Sequence, residues 1–152
     1  MAKTIKAYKG FNKDLKCRDF QYEVGKEYEM DNDIQLCKRG FHACESPFDV
    51  LDFYGMYDAE GRENRFAEVE MSGTINKDDD GNSTKICSSK IKIKAEIGFK
   101  GLINAGIEWI KEVTKAGKAY SYCGKKRSIR TNNGHPRVKV TDDACGFYEE
   151  EK

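Results

Sequence analysis

Apolar and polar side chains alternate through Thr4–Phe11, the period of a half-buried strand, and Gly10 marks its end. Phe20, Tyr22 and Val24 alternate with Gln21 and Glu23 until Gly25 breaks the run. Tyr28 and Met30 resume it, which predicts a second extended stretch with a turn at Gly25-Lys26. Asp31-Asn32-Asp33 is turn chemistry, and Leu36–Cys44 returns to an extended pattern through Gly40. Ser46-Pro47-Phe48-Asp49 predicts a helix start. Ser46 is placed to cap the free amides, Pro47 suits the first helical position, and Asp49 completes a capping-box-like spacing. That helix should run to Tyr54, bury Val50, Leu51 and Tyr54, and stop at Gly55.

Met56–Asn64 is polar. Ala67, Val69 and Met71 then alternate with Glu68 and Glu70, giving a strand that ends at Ser72-Gly73. Lys77–Ser83 reads as a polar turn, and Ile91, Ile93, Ala95 and Ile97 alternate cleanly with Lys92, Lys94 and Glu96. From Phe99 to Lys115 the period changes: Leu102, Ile103, Ile107, Ile110 and Val113 follow helical spacing, Trp109 flanks the stripe, and Gly117 stops it. Tyr120–Cys123 and Val138–Val140 are short strand candidates around a turn at Asn132-Asn133-Gly134. The predicted class is α+β: a mostly antiparallel sheet, one short capped helix, one longer amphipathic helix and a basic, hairpin-like C-terminal segment. The expected division is an α+β domain over 1–116 and the basic segment with its acidic tail over 117–152.

Composition supports a folded core: 8 Phe and 8 Tyr in 152 residues are hard to reconcile with disorder, although 35% of the chain is charged. No apolar run approaches the roughly 20 residues that span a bilayer, and Met1–Lys6 has no apolar leader. A soluble protein of the bacterial cytoplasm, away from membranes, is therefore expected. In that compartment the six cysteines are reduced thiols and not three disulfides.

Charge is sorted along the chain. Its net value is +1, yet Lys115, Lys118, Lys125, Lys126, Arg127, Arg130, Arg137 and Lys139 follow one another with no acid between them. Asp142, Asp143, Glu149, Glu150 and Glu151 then reverse the sign. Such segregation suggests a surface for an anionic partner. Tyr120 and Tyr122 precede the run, and aromatic faces beside cations suit single-stranded nucleic acid; a solvated hairpin is the plain alternative.

Cys37, His42 and Cys44 are weak zinc candidates, with Cys17 upstream. Their spacing is not that of a zinc finger, and no Cys-x-x-Cys occurs. His42 could instead activate Cys44 or Cys37 as a nucleophile, but no motif supplies an orienting third group. Asn76–Gly81 matches half a calcium loop, with Cys87 where the bidentate Glu belongs. No catalytic motif of high specificity is present, and the sequence calls for no metal or cofactor.

Lys6-Ala7-Tyr8-Lys9-Gly10-Phe11, the run Cys17–Lys26, and Gly40-Phe41-His42-Ala43-Cys44-Glu45-Ser46-Pro47 together resemble an uncharacterised bacterial and prophage-associated family. The resemblance continues through Glu68-Val69-Glu70 and Lys90-Ile91-Lys92-Ile93 to Trp109, and implies a mobile-element origin. Tyr8-Lys9-Gly10 followed by Gly40-Phe41-His42 and Ser46 is also similar to ADP-ribosyltransferase-like folds. Lys9 stands where those have Arg or His, and only strand position nominates Glu68 or Glu70 as the terminal carboxylate. That similarity implies NAD near Tyr8 and His42. The leading expectation is a stoichiometric phage-type binding protein acting on a host protein or ribonucleoprotein, such as an anti-CRISPR-like counter-defence inhibitor. The alternatives are an RNA- or DNA-binding protein using residues 115–139, and a transferase-like enzyme.

Overall fold

The computed structural model describes residues 3–31, 33–36, 38–78, 83–115, 120–122, 127–132 and 135–140, the last three stretches as backbone alone. In chain order the strands are β1 (Ile5–Phe11), β2 (Lys16–Cys17), β3 (Phe20–Gln21), β4 (Glu27–Glu29), β5 (Phe41–Cys44), β6 (Arg65–Lys77) and β7 (Lys85–Glu96). A 3-10 helix, Pro47–Asp52, separates β5 from β6; the helix α1 (Gly98–Lys115) and the strands β8 (Tyr120–Tyr122), β9 (Arg127–Asn132) and β10 (His135–Val140) complete the chain.

The sheet closes on itself because β6 and β7 are long enough to serve several neighbours each. β6 pairs with β1 from Arg65 to Met71 and with β7 from Ala67 to Lys77. The other edge of β7 takes β5 over Lys85–Ser88 and β4 over Lys90–Lys92. β5 returns to β1 where Tyr8 stands opposite Cys44. The result is an antiparallel α+β fold around a small closed barrel, β1-β6-β7-β5, with β4 continuing the sheet beyond β5 along β7. Closure needs sharp coiling, and the β6–β7 ladder shifts register between Glu68 and Val69 and between Ser72 and Ile75. Gly73 makes the second bend possible at φ 76°: a Cβ there would meet Ser89 Oγ, which instead accepts a hydrogen bond from Thr74 N at 3.0 Å.

The barrel interior is packed by Ile5, Ala7, Phe11, Phe41, Ala43, Val69, Met71, Ile91 and Ile93. A second layer, Tyr8, Cys44, Val50, Phe66 and Leu102, lies between the outside of the barrel and the two helices. α1 forms where the 3.6-residue stripe predicts a helix, but its buried side is centred on Leu102 and Gly106 and leaves Ile107 of the predicted stripe 44% exposed. Gly106 admits the Phe48 ring, which stands 2.6 Å from where a Cβ would be.

Several local expectations need correction. The extended run over 36–44 contracts to Phe41–Cys44, because Gln35 N donates to Arg39 O (2.7 Å) and folds the preceding residues into a turn. The stretch from Phe20 to Met30 divides into two short strands, β3 joining β2 and β4 joining β7. The capped helix is a 3-10 helix that ends at Asp52, and the Ser46 side chain makes no cap bond to it. Asp49 does not complete a capping box. Its Oδ2 accepts from Thr84 N (2.7 Å) and Thr84 Oγ1 (2.8 Å), and Thr84 Oγ1 accepts from Ser46 N (2.7 Å). The helix start is thus fastened to Thr84, 35 positions away and immediately before β7. The C-terminal segment has three strands in a meander where two were expected, β9 lying between β8 and β10. Among the described residues no helix is long and apolar enough to cross a membrane.

Candidate functional site

β1 and β5 meet in register at Tyr8 and Cys44. Where they part, a cleft of about 680 Å³ opens, flanked by the β2–β3 hairpin on one side and the 3-10 helix with Phe53 and Tyr54 on the other. Its floor holds Lys9, in strand phase with the core residues Ile5, Ala7 and Phe11. Lys9 is 5% exposed. Its ammonium donates to His42 O at 2.7 Å, bridging the parted strands with a side chain where a backbone amide would ordinarily serve. The rings of Tyr22 and Phe11 lie 5.5 and 5.8 Å from Nζ. Burial lowers the pKa of Lys9; Cys17, which accepts a hydrogen bond from it, and Cys44 oppose that fall, and Arg18 adds to it.

The β2–β3 hairpin contributes Cys17, Arg18, Asp19, Phe20 and Tyr22 to the cleft. Phe20, Tyr22, Tyr28 and Phe41 make edge-on or tilted ring contacts at 4.6–6.3 Å and form an aromatic wall. Arg18, at the tight turn of the hairpin, has φ 54°, a conformation that glycine adopts without strain. Tyr54 OH donates to Cys17 Sγ at 3.4 Å, and its side chain packs over Gly10, where a Cβ would stand 2.7 Å from the ring. Burial raises the pKa of both the Tyr22 and Tyr54 phenols, so both stay protonated.

His42 lines the same cleft, with its pKa lowered to about 4 by burial and then by the charge of Lys9, against a favourable bond to the Gly40 backbone. The Cys44 thiol is pushed up to about 12, by burial first and then by Asp49. At neutral pH both groups are uncharged. Among the described residues the cleft therefore carries the cations Lys9, Arg18, Lys38 and Lys85 against the carboxylate Asp19. Lys85 Nζ also lies 5.1 Å from the Phe53 ring.

These values bear on the sequence-predicted chemistry. A catalytic Cys-His pair needs an ionised thiol and a basic imidazole, and Cys44 and His42 are shifted in the opposite directions. His42 and Cys44 occupy alternate positions on β5, whereas Cys37 lies outside the described residues. Among the described residues no group of three His, Cys, Asp or Glu side chains is arranged to hold a metal. Residues of Tyr8-Lys9-Gly10 and Gly40-Phe41-His42 all line the cleft. Neither proposed carboxylate lines it: Glu68 pairs with Lys6 at 3.1 Å and Glu70 with Lys94 at 2.9 Å.

In the basic run, Lys115 is exposed at the end of α1. In the meander Tyr120 stands opposite Ile129, Tyr122 opposite Arg127, Arg130 opposite Arg137 and Lys139 opposite Ser128. Lys118, Lys125 and Lys126 lie outside the described residues, as do Asp142, Asp143, Glu149, Glu150 and Glu151. The cleft residues Lys9 and Arg18 were not singled out as binding groups by sequence reasoning. A signal existed for Lys9: it is the one charged residue in phase with Ile5, Ala7 and Phe11.

Fold and site define a small closed barrel with a cationic, aromatic-walled cleft at one seam. A family described as a domain of unknown function (DUF7666) matches residues 5–105, more than half of the chain, and the chain belongs to that family. No curated protein and no solved structure matches it.

Proposed function

We propose that this protein acts stoichiometrically by binding, and that the cleft holds a negatively charged group carried beside a flat apolar one. The observation that best supports this is Arg18. A left-handed conformation costs a non-glycine residue about 1–2 kcal/mol, yet an arginine keeps it at the lip of a cleft that already holds three lysines. Strain retained in this way clusters at ligand clamps. Cations beside aromatic walls fit a nucleotide or a related phosphate ester, free in solution or within a host ribonucleoprotein. The same proposal places the protein in the bacterial cytoplasm as a phage- or prophage-associated binder of a host protein or nucleoprotein, with an anti-CRISPR-like inhibitor as its sharpest form. The 115–139 run would add contacts to RNA or DNA.

Thermal unfolding with mononucleotides, inorganic phosphate and single-stranded RNA tests the cleft, since a ligand of the folded state raises the melting temperature. The replacement Arg18→Gly should raise the melting temperature of the free protein, because it relieves the strain, and should weaken ligand binding. Undiminished binding by that variant would sink the proposal. A response to RNA but not to mononucleotides would assign the anionic group to a nucleic-acid strand.

A second, transferase-like reading is favoured by the convergence of Tyr8-Lys9-Gly10 and Gly40-Phe41-His42 on one cleft. It requires stabilisation by NAD and a catalytic carboxylate other than Glu68 or Glu70. Absence of any NAD-dependent shift would remove it.

A further inference from the structure

We infer that the Lys9 amine captures a carbonyl group of the cleft's ligand as an imine, so that the ligand is an aldehyde or ketone that also carries an anionic group. This rests on the cleft being a ligand site and adds the reacting atom.

Placement carries the inference. A buried lysine is ordinarily matched by a carboxylate, because an isolated ammonium is costly away from water. Lys9 meets a backbone carbonyl at 2.7 Å, the Cys17 sulfur and two ring faces instead, and yet it lines an open cleft. Apolar surroundings favour the neutral amine, the form that attacks carbonyl carbon. The titratable and charged groups facing it are Cys17 and Arg18 from the hairpin, Tyr22 beyond them, His42 and Cys44 from β5, and Asp19 at the cleft wall. Burial is the largest influence on its pKa and acts downward. Arg18, Lys38 and Lys85 line the same cleft and place positive charge where the ligand's anionic group would lie while the carbonyl reaches the floor.

The step balances without an oxidant or a reductant. Neutral Lys9 Nζ forms a bond to the carbonyl carbon, and the carbonyl oxygen takes up a proton to give a carbinolamine. The C–O bond then breaks, the amine's two hydrogens leave with the oxygen as water, and a C=N bond remains. The neutral imine nitrogen has no hydrogen to donate, so capture in that form also removes the bond to His42 O that bridges the parted strands.

Pyridoxal 5′-phosphate serves as the probe, being a flat aldehyde with a phosphate. The full-length protein is mixed with it, reduced with borohydride and mapped by peptide mass spectrometry. Lys9 should carry the reduced adduct ahead of exposed lysines such as Lys26, Lys100 and Lys111. The visible absorbance of the imine should be lost in Lys9→Arg, which keeps the charge but forms no imine, and in Lys9→Met. Folding of both variants is checked by circular dichroism, and mapping of the unaltered protein stands even if neither folds. Adduct spread over surface lysines with Lys9 unmodified, or modified only after unfolding in urea, overturns the inference. If phosphate or nucleotide still stabilises the protein in that case, the cleft remains a binding site and the covalent step alone falls. If neither labelling nor stabilisation occurs, both fall.

Discussion

Acid should destabilise this protein partly through the His42 imidazole. In the fold His42 protonates only near pH 4, whereas in the unfolded chain it does so near 6.5. The sign follows from linkage: a group whose folded pKa is depressed leaves more protons on the unfolded chain, so its stability is present above the unfolded value and is lost as pH falls toward the folded one. The interval from 6.5 to about 4 corresponds to about 3 kcal/mol, of which about 2 kcal/mol is lost by about pH 5. That is a large share of the 5–15 kcal/mol that typically holds a domain together. The assay is urea unfolding of the parent and His42→Gln at neutral pH and near pH 5. Carboxylates held low by partners, such as Glu96 beside Arg65, also titrate in acid, but they do so in both proteins and cancel. The parent should therefore lose about 2 kcal/mol more than the variant over this interval. Equal losses would show that the imidazole is not held neutral by burial and by Lys9. An anion in the cleft should shrink the difference, because it offsets the positive neighbours that oppose protonation.

Gly40 has φ 128°, and a Cβ there would fall on Cys87 Sγ. Gly40→Ala should cost at least about 2 kcal/mol in denaturant unfolding, and adding Cys87→Ala should return the steric part but not the conformational part. Asp49→Ala leaves Thr84 N without the acceptor it holds at 2.7 Å and should cost about 3 kcal/mol, read as a lower melting temperature. Cys44 and Cys87 are buried and Cys17 is partly exposed in the cleft. A maleimide should therefore reach Cys17 in the native protein and the other two only on unfolding, and a cleft ligand should slow Cys17; native labelling of Cys44 would contradict the packing.

The periodic elements were legible because their signals are local. Alternation marked β1 and the second half of β7, and the 3.6-residue stripe marked α1, each set by which side of its own element is dry. What was missed depends on partners distant in sequence. Ser46 and Asp49 look like a cap, but Thr84 competes for the Asp49 carboxylate and wins with two donors. Barrel closure lies in the double pairing of β6, which the alternation of Ala67, Val69 and Met71 with the glutamates cannot announce. The cleft was half legible: Tyr8-Lys9-Gly10 and Gly40-Phe41-His42, which line it, stand out in the sequence, whereas the hairpin turn that brings Arg18 to its lip has no glycine to reveal it.

Closure also orders events in time. β1 is made well before its ladder partner β6, which starts only at Arg65, and the ring is not complete until β7 has been synthesised to Glu96. On a ribosome adding about 5–20 residues per second, the apolar side of β1 waits several seconds for a neighbour. Pairings this distant also fold slowly once available. Emerging chains are therefore open to chaperones and proteases while the barrel strands are being synthesised, and become resistant only when nearly all of the barrel has left the exit tunnel.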